Sequence, residues 1–287
     1  MLRLLTAIAA AACAIAILVA PAAAVQGGTP DGNGHPYVGL SVFLDKNGVP
    51  LWRCSGTLIS SSVYLTAGHC TGIDPSDGAV PARAQVWFGA GPIPRGNYPF
   101  DGSSCAGYSG YPCKGDVGGT PHPNPGWNGF LTLPNTHDNG VVVLDKPQKL
   151  GYATLAPKGY LDVLAKQRGL QNVNFTVVGY GVQFERPNLE IAVRERFVGT
   201  TQLQNLTSAL ADGYELLMTD SGGNGTGGGG TCFGDSGGPV FHTNAAGQEL
   251  LVADISFGTK YCKGQSGAYR TDTDAARSFL SSYVQLP

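Results

Sequence analysis

Residues 232–239 read Cys232-Phe233-Gly234-Asp235-Ser236-Gly237-Gly238-Pro239. A serine set among glycines can sit on a tight turn with its hydroxyl exposed. The N–H groups of Gly234 and Ser236 can then point at a developing oxyanion. An ordinary hairpin would suit the same glycines, so the turn alone decides nothing. A serine hydroxyl is a poor nucleophile without a base, and the base narrows the choice. The histidines are His35, His69, His122, His137 and His242. Gly234-x-Ser236-x-Gly238 also fits the G-x-S-x-G elbow of α/β-hydrolases, whose partners follow in the order Ser, acid, His. After Ser236 only His242 remains, and it precedes any further acid. The elbow fails on order, which leaves an arrangement in which histidine and acid precede the serine.

The rest of the chain sets the frame for that serine. Its 287 residues, 42% hydrophobic and 13% charged, are enough for one large domain or two small ones with real cores. Glycine (43) and proline (19) are abundant, which suits many short strands joined by turns and not a helical bundle. A net charge of −2 gives no reason to expect nucleic acid or an anionic membrane surface as a partner.

The first residues read as an export signal. Arg3 supplies the positive start, Leu4 to Ala20 is apolar, and Ala22-Ala23-Ala24 is a small-residue cleavage site. Pro21 interrupts the run and no basic flank follows, which argues against an uncleaved anchor. Export with cleavage leaves residues 25–287, a secreted chain with no membrane attachment. Cys13 leaves with the signal. The six cysteines that remain, Cys54, Cys70, Cys105, Cys113, Cys232 and Cys262, are even in number, as a disulfide framework requires. Zinc is the rival, but there is no CxxC pair and the spacings are irregular. No metal and no cofactor is expected.

Short β-rich runs recur at Tyr37 to Leu44, Val63 to Ala67, Ala84 to Phe88 and Val141 to Leu144. A second set lies at Phe175 to Tyr180, Ile191 to Val198, Glu215 to Thr219 and Leu250 to Ser256. Spacing of this kind predicts sandwiches or barrels. Asp274 to Val284 predicts a helix, with Asp274 as its cap. Gly89 to Pro134 and Ser221 to Thr231 read as loops, and a boundary falls near 146–158.

Several motifs together resemble the trypsin/chymotrypsin family of serine proteases. Thr66-Ala67-Gly68-His69-Cys70 is similar to the family's histidine motif, and Cys232 to Pro239 to its serine motif. His137-Asp138-Asn139-Gly140-Val141-Val142-Val143-Leu144 resembles its aspartate motif. Val25-Gln26-Gly27-Gly28 resembles the mature amino terminus, and Ile255-Ser256-Phe257-Gly258 the substrate-binding strand. The resemblance covers nearly everything after the signal. It implies an all-β fold of two six-stranded antiparallel Greek-key barrels packed face to face, with a C-terminal helix. The first barrel would span about 25–150, the second about 151–273 and the helix about 274–284.

It also implies a secreted endopeptidase acting on protein or peptide substrates, a monomer open to protein protease inhibitors. Ser236 would be the nucleophile and His69 its general base. Asp138 would hold the histidine, with Gly234 and Ser236 forming the oxyanion hole. Cys54 would pair with Cys70 and Cys232 with Cys262, which leaves Cys105 and Cys113. The α-amino group of Val25, freed by cleavage after Ala24, would pair with Asp235 and order the oxyanion hole. Gly230, Ser256, Gly258 and Gly267 would form the primary pocket. With no carboxylate aligned there, apolar, aromatic or broad specificity is expected. Departures from the family pattern are Gly68, Gln26 and Asn139. The rival classes are a non-catalytic binding protein on the same fold and an exported esterase using the same serine.

Overall fold

The computed structural model describes residues 25–93, 114–167, 173–186, 189–220 and 229–287. The export segment and the Cys105 and Cys113 positions lie outside the described residues.

The chain first forms a two-residue strand, β1 (Thr29–Pro30), and then β2 (Val38–Leu44), β3 (Pro50–Leu58), β4 (Val63–Thr66), β5 (Arg83–Trp87), β6 (Val117–Pro123) and β7 (Gly140–Leu144). Strands β2 to β7 close a barrel in the order β2-β3-β4-β7-β6-β5. Then come β8 (Asn174–Gly179), a small hairpin of β9 (Phe184–Arg186) and β10 (Leu189–Ile191), β11 (Phe197–Asn205), β12 (Glu215–Thr219), β13 (Pro239–Thr243), β14 (Glu249–Gly258) and β15 (Gln265–Arg270). The order β11-β12-β15-β14-β13-β8, with β8 pairing back to β11, closes a second six-stranded barrel. The fold is therefore the expected pair of antiparallel barrels.

Residue alternation drives this closure. On β2, Val38, Leu40, Val42 and Leu44 join one apolar cluster and Phe43 another. On β4, Val63 and Leu65 side with the first cluster and Tyr64 with the second. Period-two patterning thus buries both faces of the sheet. The first of these clusters also takes Tyr180, Phe241 and Leu251 from the second barrel, so it seams the halves together. Each such side chain buried is worth about 1.5–3 kcal/mol.

Two structural details run against chain order. Thr29–Pro30 pairs with Phe197 and Val198, so the start of the described chain lies on the second barrel. At the other end, α3 (Asp274–Leu280) sends Phe279 and Leu280 into the seam cluster, and Tyr283 sits against His122 of β6.

The structure corrects several expectations. The segment Gly89 to Pro134 is not all loop, because β6 lies within it and pairs with both β5 and β7. Its composition hides it. Gly119 is required because a Cβ there would stand 2.4 Å from a Val142 methyl, and Pro121 and Pro123 read as strand breakers. The run Ile191 to Val198 is displaced, since the long strand β11 begins only at Phe197. The terminal helix ends at Leu280, and its cap is Thr273, whose Oγ1 accepts from Ala276 N at 3.3 Å. Asp274 stands in the first turn and pairs with Lys158. Two further short helices, α1 (Gly68–Thr71) and α2 (Tyr160–Ala165), escape a periodicity reading because they last barely a turn. No helix of the described residues is long and apolar enough to cross a membrane.

Candidate active site

The site lies in the cleft between the barrels, and each half contributes to it. His69 sits in α1, directly after β4. A Cβ on Gly68 would stand 3.0 Å from His137 O and 3.1 Å from Asp138 Oδ1. Glycine at that departure position therefore lets the Asp138 segment approach closely. Asp138, fully buried just ahead of β7, accepts from His69 N at 2.7 Å and lies 2.9 Å from His69 Nδ1 through Oδ2. Ser256 of β14 donates its hydroxyl to the same Oδ2. The carboxylate is thus met by a ring nitrogen, a backbone amide and a hydroxyl, which fixes the ring and leaves Nε2 for the cleft. Burial alone would lower the His69 pKa. The charge and hydrogen bond of Asp138, with a smaller contribution from Asp74, outweigh burial and raise it above the ordinary histidine value. Polar Asn139 has a partner too, since its Oδ1 accepts from Asn124 Nδ2 at 2.8 Å.

Ser236 comes from the second barrel, in the turn before β13. Gly234 and Gly237 have φ of +91° and +77°, the region that favours glycine. A Cβ on Gly237 would stand 2.1 Å from Thr66 Oγ1, so this glycine also lets the serine turn rest against the histidine segment. Ser55 of β3 ties the turn down. Its N–H donates to Ser236 O at 2.9 Å and its hydroxyl to Gly234 O at 2.8 Å. Asp235 N and Gly237 N are occupied by Cys232 O and Ile255 O. The N–H groups of Gly234 and Ser236 have no acceptor among the described residues. Two cavities meet at this point, and His69 and Ser236 line both.

Asp235 is fully buried and accepts from Gly181 N at 2.8 Å and Cys232 N at 2.9 Å. Burial pushes its carboxyl up to about 7, against the pull of those amides and of the Arg53 charge. Val25 is buried in the core of the second barrel. The next residue donates register: Gln26 O accepts from Gly230 N at 2.8 Å, five positions ahead of Asp235. The start of the described chain is therefore anchored beside the segment that carries the serine.

Cys54 bonds to Cys70, spanning β3 and the histidine segment, and Cys232 bonds to Cys262, spanning the serine turn and the far cavity wall. Loops of 16 and 30 residues are closed, each worth about 3 kcal/mol by loop-closure entropy. The sulfurs nearest His69 are thereby bonded to each other and offer no thiolate to a metal.

The four expected pocket residues separate. Ser256 and Gly258 line a cavity of about 280 Å³ beside Ser236, together with Ile255, Phe257, Phe233 and Phe130. Gly230 and Gly267 face other groups. A Cβ on Gly230 would meet the Asp220 backbone at 2.4 Å, and one on Gly267 the Phe257 ring at 2.3 Å. Sequence reading missed Ser55, the Ser256 link to Asp138, and the aromatic wall of Trp127 and Phe130, whose ring centroids lie 6.1 and 6.2 Å from that of His69. Only the Trp127 and Phe130 pair left a local trace, as aromatics within a Gly/Pro-rich stretch.

No family model matches the sequence. Among solved structures, one described as HL collagenase superposes with a TM-score of 0.58 at 16% identity, covering 89% of this chain and 96% of that chain. At that identity the likeness concerns the fold, which the two chains share.

Proposed function

We propose that this protein is a secreted serine endopeptidase of the trypsin/chymotrypsin kind that works through an acyl-enzyme. The observation that carries the reading is a convergence. A histidine held through Nδ1 by a buried carboxylate shares a cleft with a serine whose own amide, like that of Gly234, meets no acceptor among the described residues. Ser236 Oγ attacks the peptide carbonyl carbon while His69 Nε2 takes its proton. The carbonyl oxygen becomes an oxyanion between the N–H groups of Gly234 and Ser236. The C–N bond then breaks, and the imidazolium gives its proton to the leaving amine. Water, deprotonated by His69, releases the acyl group and restores the Ser236 hydroxyl. Asp138 keeps its negative charge throughout and stabilises the imidazolium.

Cleavage after Ala24 would free the Val25 amine beside the serine turn. In this reading it pairs with the buried carboxylate of Asp235. Export thereby activates the enzyme directly. Fluorophosphonate labelling of Ser236 and hydrolysis of casein are the tests. Ser236→Ala is expected to lose both, leaving about 10³–10⁴-fold over the uncatalysed rate at most. Unimpaired casein hydrolysis by that variant excludes the reading, and ester turnover without peptide turnover in the unaltered protein would favour an esterase.

A further inference from the structure

Asp138 lies in a segment with no strand of its own. Residues 135–138 run ahead of β7, and His137 among them has φ of +53°. That conformation is uncommon outside glycine and persists where the surroundings enforce it. The second barrel grips this segment. Glu215 of β12 stands directly opposite Tyr269 of β15, and Tyr269 stands opposite Asp254 of β14. The three therefore form one row on one face of the sheet. Their strand neighbours Leu216, Ala268 and Ile255 turn the other way, into the barrel core. From the row, Tyr269 donates its hydroxyl to Asn135 Oδ1 at 2.8 Å, and its ring centroid lies 6.5 Å from that of His137. Glu215 takes the next residue, since Thr136 Oγ1 donates to Glu215 Oε1 at 2.9 Å. The same Oγ1 accepts from Asp138 N at 3.3 Å. Donation thus runs one way, from the Asp138 amide to the Thr136 hydroxyl to Glu215.

A threonine hydroxyl has one proton and rotates to suit its partners. With Glu215 as acceptor, that proton points into the second barrel and a lone pair is left for the Asp138 amide. Without Glu215 the hydroxyl turns its proton elsewhere, and the amide loses its acceptor. Glu215, Thr136 and Asp138 are all fully buried, where each bond of such a chain counts for more than in water. A residue that only filled the seam would do better as a leucine, because a buried carboxyl loses its hydration. What the carboxyl adds is an acceptor.

We infer that Glu215 is a positioning residue for Asp138, which through the Thr136 hydroxyl holds the catalytic carboxylate in line with His69. The inference rests on the peptidase reading for the reaction it serves, and on the contacts alone for the coupling. Glu215 does this as a neutral acid. The titratable groups around it are Asp138, Asp254 and Tyr269, none of which brings positive charge. Arg270, next on β15, is taken up by Asp162, Asp272 and Gly213 O. Burial pushes the Glu215 carboxyl well above the usual carboxylate range. The Thr136 hydroxyl pulls the other way, and the Asp138 charge adds to the push. Oε1 accepts from Thr136, so the proton sits on Oε2, which has no hydrogen-bond partner among the described residues. A neutral Glu215 adds no second charge beside the one that Asp138 presents to His69.

The test follows the rate of fluorophosphonate labelling of Ser236 across pH, in protein expressed as the full chain. Near-ultraviolet circular dichroism reports whether each variant has folded. Glu215→Leu removes the acceptor and Thr136→Val the hydroxyl. Each is expected to slow labelling about 10–100-fold, the scale of a small misplacement of a catalytic group. Each should also move the acid limb of the profile to lower pH, since a displaced Asp138 no longer holds His69 above its ordinary value. A merely structural loss would leave that limb in place. Glu215→Gln keeps a neutral acceptor and is expected to bring the rate back to within about threefold, with the limb restored. Glu215→Leu combined with Thr136→Val should match either alone within about twofold, because both break one chain. An unmoved limb in the folded single variants overturns the inference. So does Glu215→Gln as slow as Glu215→Leu, or losses that multiply in the combined variant. Should Glu215→Leu fail to fold, the limb of Thr136→Val decides. Peptide hydrolysis is read beside labelling. The expected labelling pattern without any peptide cleavage removes the peptidase reading and leaves the positioning role standing. Peptide cleavage with the limb unmoved in both single variants does the opposite.

Discussion

The two barrels share a topology and treat buried charge in opposite ways. In the first, the buried acid is Asp138, and His69, an amide and a hydroxyl meet it. In the second, Glu215, Asp220, Asp235 and Asp254 are all buried, and amides, hydroxyls or nothing meet their oxygens. Among the described residues, Asp254 has no hydrogen-bond partner on either oxygen. The second barrel is not short of cations in general, because Arg270 grips Asp272 at 2.9 Å. The difference is one of use. The first barrel holds a finished acid–base pair, whereas the second, beside the paired Asp272, holds acids that burial drives toward their protonated form.

The sharpest way to break this contrast is to spoil the finished pair. Asp138→Asn is expected to lower kcat about 10⁴-fold, since an amide cannot hold the required His69 tautomer. It should also drop the acid limb of kcat/KM, which the Asp138 charge holds above the ordinary histidine value. A pH profile of kcat/KM checks both, and an unmoved limb would detach His69 from Asp138.

A smaller effect is expected on the waiting side. A chain carrying one extra residue ahead of Val25 cannot present an α-amino group to Asp235. Its kcat should fall about 10²–10³-fold, the scale of a disordered oxyanion hole. Equal kcat for the extended and the Val25-initiated chains would remove the activation pair.

The smallest effect is on stability. An acid held above its usual range keeps its proton in the folded state after the unfolded chain has released it. Its contribution is therefore complete below about pH 4. It is lost as pH rises through about 6 for Asp220 and, in a chain whose Val25 amine is not free, through about 7 for Asp235. Burial raises Glu215 and Asp254 in the same direction. The unfolding free energy from urea titration should thus be lower at about pH 8 than at about pH 5, by on the order of 1–3 kcal/mol per group. Asp254→Asn should flatten the slope. A flat profile in the unaltered protein would end the distinction between the barrels.

How much of this was legible in the sequence follows the same divide. Gly234, Ser236 and Gly237 announce themselves because a positive φ demands glycine within a few residues. His69 stands beside Cys70, and Val141 to Val143 give a β-branched strand after Asp138. These are local signals. Strand β6 was illegible because its prolines and its glycines, of which Gly119 is needed for close approach to β7, imitate a loop. Ser256 and Asp138 meet across 118 positions, and nothing in either neighbourhood marks the partner.

The two chain ends also cross over, β1 onto the second barrel and α3 onto the seam beside the first. Each end thus works as a clasp on the half it does not begin or finish. Force drawn through the termini would load β1 in shear and peel α3 away, so the clasps would bear tension before either barrel's own ladders. A fusion partner tugging on either end would strain the cleft between the barrels, and with it the alignment of His69 and Ser236.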